Sequence, residues 1–200
     1  MPEATEELRS SLVEHAKRLV ARDGASALTM RALAAEAGCS VGLPYKVFTD
    51  RHELVLEILN SEFARLGGAE DDLVARAGTR TVGGNLAWYA ELLLASTSVA
   101  LVREVTGDEA LADAFATNVH KTGLGPGAWA GAFAAYLAAE QRAGRVAADV
   151  DVDAFGFLLA GAVHNLIMSG EPYPRPSRRQ LRRLLDGTAA AIAPRQRPAL

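Results

Sequence analysis

Cysteine is almost missing from this chain. Cys39 stands alone among 200 residues, so no disulfide can form within the chain, and a reducing compartment suits it. Aromatics are scarce at 6%, and no stretch sustains the apolar/polar alternation of a half-buried strand. No positively charged start precedes an apolar run, which gives no sign of a signal peptide. The longest apolar stretch, Leu86 to Val102, carries Glu91 and several hydroxyls and falls short of an uninterrupted membrane span. The net charge of −3 denies the chain a global basic footprint. A cytoplasmic protein without a membrane segment is expected.

What is present points to helices. Half the residues are hydrophobic, ample for a core, and the abundance of Ala and Gly without period-2 patterning predicts an all-α chain. The most informative stretch runs from Thr29 to Phe48. Thr29 is placed to cap a helix in which Met30, Leu33, Ala34 and Ala37 fall at the i, i+3, i+4, i+7 spacing of one buried face. Gly38 stops that helix, and Ser40 is placed to cap a second one over Val41 to Val47. Ala34 must be small, because helices joined by so short a turn cross steeply with their backbones close.

A helix, a tight turn and a second helix is the arrangement that lays its second helix in the DNA major groove. The string A-G-x-S-x-G-x-x-Y-x-x-F, with Thr29, Ala34, Ala37-Gly38, Ser40, Gly42, Tyr45, Phe48, Arg51 and Leu54, resembles the tetracycline-repressor (TetR) family of transcriptional regulators. The likeness runs from about Leu12 to Leu54. Cys39, Pro44 and Arg51 depart from the family's usual Val, Leu or Ile, and Lys. Pro44 stands one turn into the second helix, where a slightly distorted first turn is expected.

The resemblance implies an N-terminal three-helix head, residues 1–54, on a larger helical ligand-binding and dimerisation body, residues 55–200. Val41, Gly42, Leu43 and Lys46 are the candidates for base edges, with Ser40 opening their helix. Thr29, Arg31, Tyr45 and Arg51 are the candidates for phosphates. Between Arg9 and Arg51, seven cations (Arg9, Lys17, Arg18, Arg22, Arg31, Lys46, Arg51) face four acids (Glu14, Asp23, Glu36, Asp50), a modest local surplus for a duplex.

Elsewhere the periodicity predicts a first helix with Leu8, Leu12, Ala16, Leu19 and Val20 on one stripe, after a partly frayed start over Met1 to Glu7. A long helix is expected from Arg51 to Leu66, interrupted at Gly67-Gly68, and further helices over 85–94, 96–105, 108–119 and 128–142. Residues 153–168 are apolar nearly all round, the mark of a helix buried on most sides, and 178–192 carry an inward stripe of Leu181, Leu184, Leu185, Thr188 and Ile192. Loops are expected over Gly123 to Gly127 and Gly170 to Ser177, and a loose tail from Pro194. The resemblance implies that these last two helices pair with those of a second subunit, and a symmetric homodimer matches a palindromic operator in double-stranded DNA.

Other motifs have plainer accounts. The run Asp149 to Asp153 lacks the glycine and the final glutamate of a calcium loop, and reads as a helix cap. Arg178, Arg179, Arg182 and Arg183 read as a solvated face, with an anion patch as the alternative. His120 and His164 have no second ligand at metal spacing, so neither metal nor cofactor is expected. Trp88, Tyr89, Trp129, Phe133, Phe157, His164 and Met168 are the candidate lining of a cavity for a small-molecule effector, with ordinary core packing as the alternative. No nucleophile, base and orienter stand together, so no enzyme is expected. A ligand-binding or interaction module that no longer reads DNA is the rival reading.

Overall fold

The structure, a computed structural model, describes residues 2–123, 126–169 and 175–195. Ten α-helices, a single 3-10 turn and no strand occur among them: α1 (Pro2–Asp23), the 3-10 turn (Ala25–Ala27), α2 (Met30–Glu36), α3 (Gly42–Val47), α4 (Arg51–Ala75), α5 (Val82–Leu94), α6 (Thr97–Gly107), α7 (Glu109–Thr122), α8 (Pro126–Arg142), α9 (Val152–Met168) and α10 (Arg178–Ala191). They form two compact units, Met1–Ala64 with Ser96–Thr122, and Arg65–Ala95 with Gly123–Leu200. The division expected at residue 54 therefore falls inside α4, and α6 and α7 join the first unit. No single described helix is long and apolar enough to cross a membrane.

In the first unit, α1 buries Leu12, Val13, Ala16, Leu19 and Val20 and packs against α2, α3, the 3-10 turn and α6. It is helical from Pro2, through the start expected to fray. Leu54, Val55, Ile58, Leu59 and Phe63 line the buried face of α4, and Phe63 meets Phe115 of α7 with ring centroids 5.8 Å apart. The carboxylate of Glu62, only 4% exposed, lies 3.2 Å from the Lys17 ammonium. Ser96 Oγ and the Thr97 amide also donate to it, at 2.8 and 3.1 Å. One buried charge thus ties α1 and α4 to the start of α6, and partners such as these make its burial tolerable.

The break expected at Gly67-Gly68 is absent, for α4 runs unbroken to Ala75. Each helical glycine costs about 1 kcal/mol relative to alanine, whereas burying a leucine contributes about 1.5–3 kcal/mol. Leu66 and Leu73, at 1% and 0% exposure, lie on either side of the pair, so tertiary burial outweighs the local preference.

The second unit is built on close backbone approaches. A Cβ on Gly156 of α9 would stand 2.5 Å from the Ala130 carbonyl and 2.8 Å from the Ala134 Cβ of α8. One on Gly83 of α5 would stand 2.7 Å from the Asp186 Cα of α10. The turn before α5 is held by Glu140, fully buried, which accepts from Tyr136 Oη at 2.6 Å and the Gly78 amide at 3.1 Å, with Arg145 Nε 3.4 Å away. The Ala147 amide donates to the Ile192 carbonyl at 2.8 Å, which places the approach to α9 beside the end of α10.

Two expectations for these helices need correction. Only one side of α9 is covered, and Phe157 and Leu158 stand 71% and 61% exposed. On α10 Leu181, Leu185 and Ile192 are buried as expected, but Leu184 is 57% exposed. The reason lies in their neighbours: α9 packs chiefly on α8 and α10 on α5, which leaves a groove of about 790 Å³ between α9 and α10. The loops expected at 123–127 and 170–177 and the tail fall partly outside the described residues, although Pro126 and Gly127 already belong to α8.

Candidate nucleic-acid interface

The helical hairpin forms where local chemistry demands it. Thr29 caps α2, its hydroxyl accepting from the Ala32 amide at 3.0 Å, and Met30, Leu33 and Ala34 turn inward. Gly38 takes the left-handed conformation, φ 65°, and the Cys39 amide closes the turn on the Ala34 carbonyl at 3.0 Å. Ser40 does not cap α3 through its side chain. Val41 occupies that position, and it is the Ser40 carbonyl that accepts from the Leu43 amide at 2.9 Å.

Pro44 fits where distortion was expected. Counting from Val41, it is the third residue inside α3, within the first turn whose amides have no partner in the helix. The missing donor therefore breaks no helical hydrogen bond. Its ring is buried in the hairpin, and its carbonyl accepts from the Phe48 amide at 2.8 Å.

With Pro44 and Phe48 inward, the opposite side of α3 is open. Val41 is 47% and Tyr45 59% exposed, Gly42 and Lys46 are exposed, and Leu43 is half-buried. Thr29, Arg31 and Ser40 are exposed as well. Gly42 has an ordinary φ, and a Cβ there would meet nothing within 4 Å, so the fold itself does not require glycine.

The cations are less available than their number suggested. Arg9 donates to the Val47 carbonyl at 3.0 Å and to Glu53 and Glu57 at 2.7 and 3.0 Å, with its guanidinium 4.8 Å from the centre of the Phe48 ring. It clamps the end of α3 to α4. Glu53 also receives the Thr49 amide at 2.6 Å, and that bond, followed by Arg9, holds its carboxyl below the usual carboxylate range. Lys17 pairs with Glu14 and Glu62, Arg18 with Glu36, and Arg22 with Asp23 and Glu36.

Arg51, read from the sequence as a phosphate contact, is committed elsewhere. It donates through Nε to the Leu28 carbonyl at 2.8 Å and through Nη2 to the Ala25 carbonyl at 3.1 Å, and Nη1 lies 2.9 Å from Glu104. Among the described residues no ion pair engages Arg31 or Lys46, so these two carry the accessible positive charge beside the open face of α3. Sequence reading missed the bracing roles of Arg9, Glu53 and Glu104, whose partners lie too far along the chain for spacing to reveal.

The seven candidate effector residues divide between the buried core and the exposed side of α9. Tyr89 and Phe133 are fully buried and pack edge to face at 5.1 Å, and Trp129 is buried too. Trp88 is half-buried, with the Arg76 guanidinium 3.8 Å from its ring centre. Phe157, His164 and Met168 share the exposed side of α9. Phe133 alone of the seven borders the α9/α10 groove, with Leu158, Val163, Leu181 and Leu184. Burial, followed by the charge and hydrogen bonding of Glu70, raises the Tyr89 phenol above its ordinary range. No cluster of His, Cys, Asp or Glu suited to a metal occurs among the described residues, and Asp151 caps α9 by accepting from the Ala154 amide at 3.0 Å.

Comparison with known proteins fits this geometry. Residues 12–58 match the sequence model of bacterial regulatory proteins, tetR family. No curated protein matches the chain. Among solved structures, a putative TetR-family regulator from Mesorhizobium loti superposes with a TM-score of 0.68 at 18% identity, over 94% of this chain and 96% of that one. A putative transcriptional regulator from Saccharomonospora viridis, solved in complex with choline, gives 0.68 at 20% identity over 95% and 100%. A TetR regulator from Streptomyces coelicolor gives 0.56 at 24% identity over 93% and 98%. Residues 12–58 thus match the tetR-family model of bacterial regulatory proteins, on a chain that shares the fold of solved regulators of that family over nearly its whole length.

Proposed function

We propose that this protein is a transcriptional repressor that binds a palindromic operator as a homodimer and leaves it when a small, largely apolar effector enters the body. One observation carries the reading: α3 turns Val41, Gly42, Tyr45 and Lys46 outward while Pro44 and Phe48 anchor it from behind. Val41 offers methyl groups and Tyr45 a rigid hydroxyl, and Lys46 and Arg31 supply unpaired charge for phosphates or base edges. The exposed apolar residues of α9 and α10, Phe157, Leu158 and Leu184, support pairing with a second copy. A half-site spacing of about 34–36 Å is the match for such a pair. The choline held by the S. viridis regulator of similar fold supports a small organic effector, and release follows if that effector prefers a body conformation unsuited to the operator.

The test is selection of bound duplexes from a random pool, followed by titration of variants. Lys46→Ala is expected to weaken binding across sequences and to lower the salt slope by about one. Gly42→Ala should leave the protein at least as stable yet weaken binding, since only a duplex meets the added methyl. A second reading, a module that no longer binds DNA, draws on the pairing of most head cations. It prevails if no duplex is selected even at low salt.

A further inference from the structure

Of the three bonds Arg51 makes, two reach backward in sequence to the 3-10 turn and one reaches forward to α6. The Leu28 carbonyl it holds belongs to the residue immediately before the Thr29 cap, so the guanidinium fixes the point from which α2, and then α3, set out. Its counter-charge, Glu104, is supplied by the last part of α6. We propose that Arg51 is a positioning residue for DNA reading, and that Glu104 makes α6 an integral part of the reader by fixing the orientation of the recognition hairpin.

The surroundings support this. The planar fork of arginine can satisfy two carbonyls and a carboxylate at fixed angles, which a lysine ammonium on a flexible stem cannot do. Both ends of α6 are tied within the same compact unit. Glu62 holds its beginning through Ser96 and Thr97, and His52, the neighbour of Arg51, lies 3.0 Å from Asp108, the residue that ends α6 and caps α7. The 3-10 turn packs against α6 as well as α1. A hairpin with so short a second helix has little stability of its own and takes its orientation from such contacts.

The inference rests on the DNA-binding reading, so its test has one arm with DNA and one without. In the absence of DNA, Arg51→Lys and Glu104→Ala should each speed amide hydrogen exchange across residues 25–38 by about tenfold, corresponding to about 1.4 kcal/mol. With the selected duplex, each should weaken binding by a similar factor without changing the salt slope. The double variant should be no weaker than Arg51→Lys, because both remove one linkage. Glu104→Gln, milder in its effect on folding, should move both readouts the same way.

Arg51→Lys that binds like the wild-type protein, or exchange unchanged over residues 25–38, would overturn the proposal. So would a salt slope lowered by about one in Arg51→Ala with Glu104→Ala neutral, the signature of a phosphate contact. A wild-type protein that binds no duplex refutes the function proposed above, and the exchange arm then decides the positioning role alone.

Discussion

Gly156→Ala and Gly68→Ala are the same chemical change in the same compact unit, and the structure predicts opposite signs for them. Both glycines lie inside helices, where alanine adds about 0.5–1 kcal/mol by reducing the freedom of the unfolded chain. At Gly68 the new methyl meets nothing within 4 Å, so the gain should appear in full. At Gly156 it would press on the Ala130 carbonyl at 2.5 Å and on the Ala134 Cβ and amide at 2.8 and 2.9 Å. None of these atoms is the end of a flexible side chain, so α8 and α9 must move apart, and overpacking of this kind costs about 1–3 kcal/mol. Central values leave Gly156→Ala less stable by about 1 kcal/mol, and Gly68→Ala more stable by slightly less. With a urea dependence of about 2 kcal/mol per molar, the midpoints should separate by about 1 M. Equilibrium urea unfolding followed by circular dichroism, at one fixed protein concentration, measures this. Midpoints that move together, in either direction, would refute the claim that backbone contact at Gly156 sets the α8/α9 spacing.

Acid should probe the brace behind α3. Because the folded-state pKa of Glu53 is lowered, by the Thr49 amide first and Arg9 next, its contribution is fully present above the unfolded carboxylate value of about 4.3 and fades as pH falls through the folded value. Glu53→Gln should therefore be less stable at neutral pH and lose less on acidification below about pH 4.5; parallel urea titrations that fall equally would contradict this. Leu184→Asp removes an exposed apolar group from α10 and should shift a dimer to monomer in sedimentation equilibrium while helicity is kept. An unchanged mass would exclude the α9/α10 groove from the interface.

The reader hairpin was legible because its determinants are local. The Thr29 hydroxyl, the smallness of Ala34, and the left-handed turn at Gly38 each act within a few residues, and all three stand where their spacing placed them. The limits of α5 to α8 were legible within a few residues for the same reason. What could not be read depends on distant partners. The acceptors of Arg51 lie 23 and 26 residues before it, and its carboxylate partner is Glu104, so a cation counted toward the phosphates is committed inside the unit. Gly67-Gly68 failed as a helix stop because the burial of Leu66 and Leu73 is decided by packing. Residues 153–168 are apolar nearly all round, and such a pattern has too thin a polar stripe to say which side meets α8 and which meets the groove. The seven aromatic, histidine and methionine candidates divided between core and surface on the same ground.

The proline that sits quietly in the first turn of α3 decides which neighbours look outward, and with them the vocabulary available for recognition. Of Val41, Gly42, Tyr45 and Lys46, only Lys46 has a group able to meet a guanine edge at two points, and none has an amide that could pair with adenine in that way. If this surface reads a duplex, discrimination falls to that lysine, to thymine methyls, to single polar contacts, and to how readily the steps between half-sites bend. Preferred sequences should then be tolerant at individual positions and exacting in their spacing.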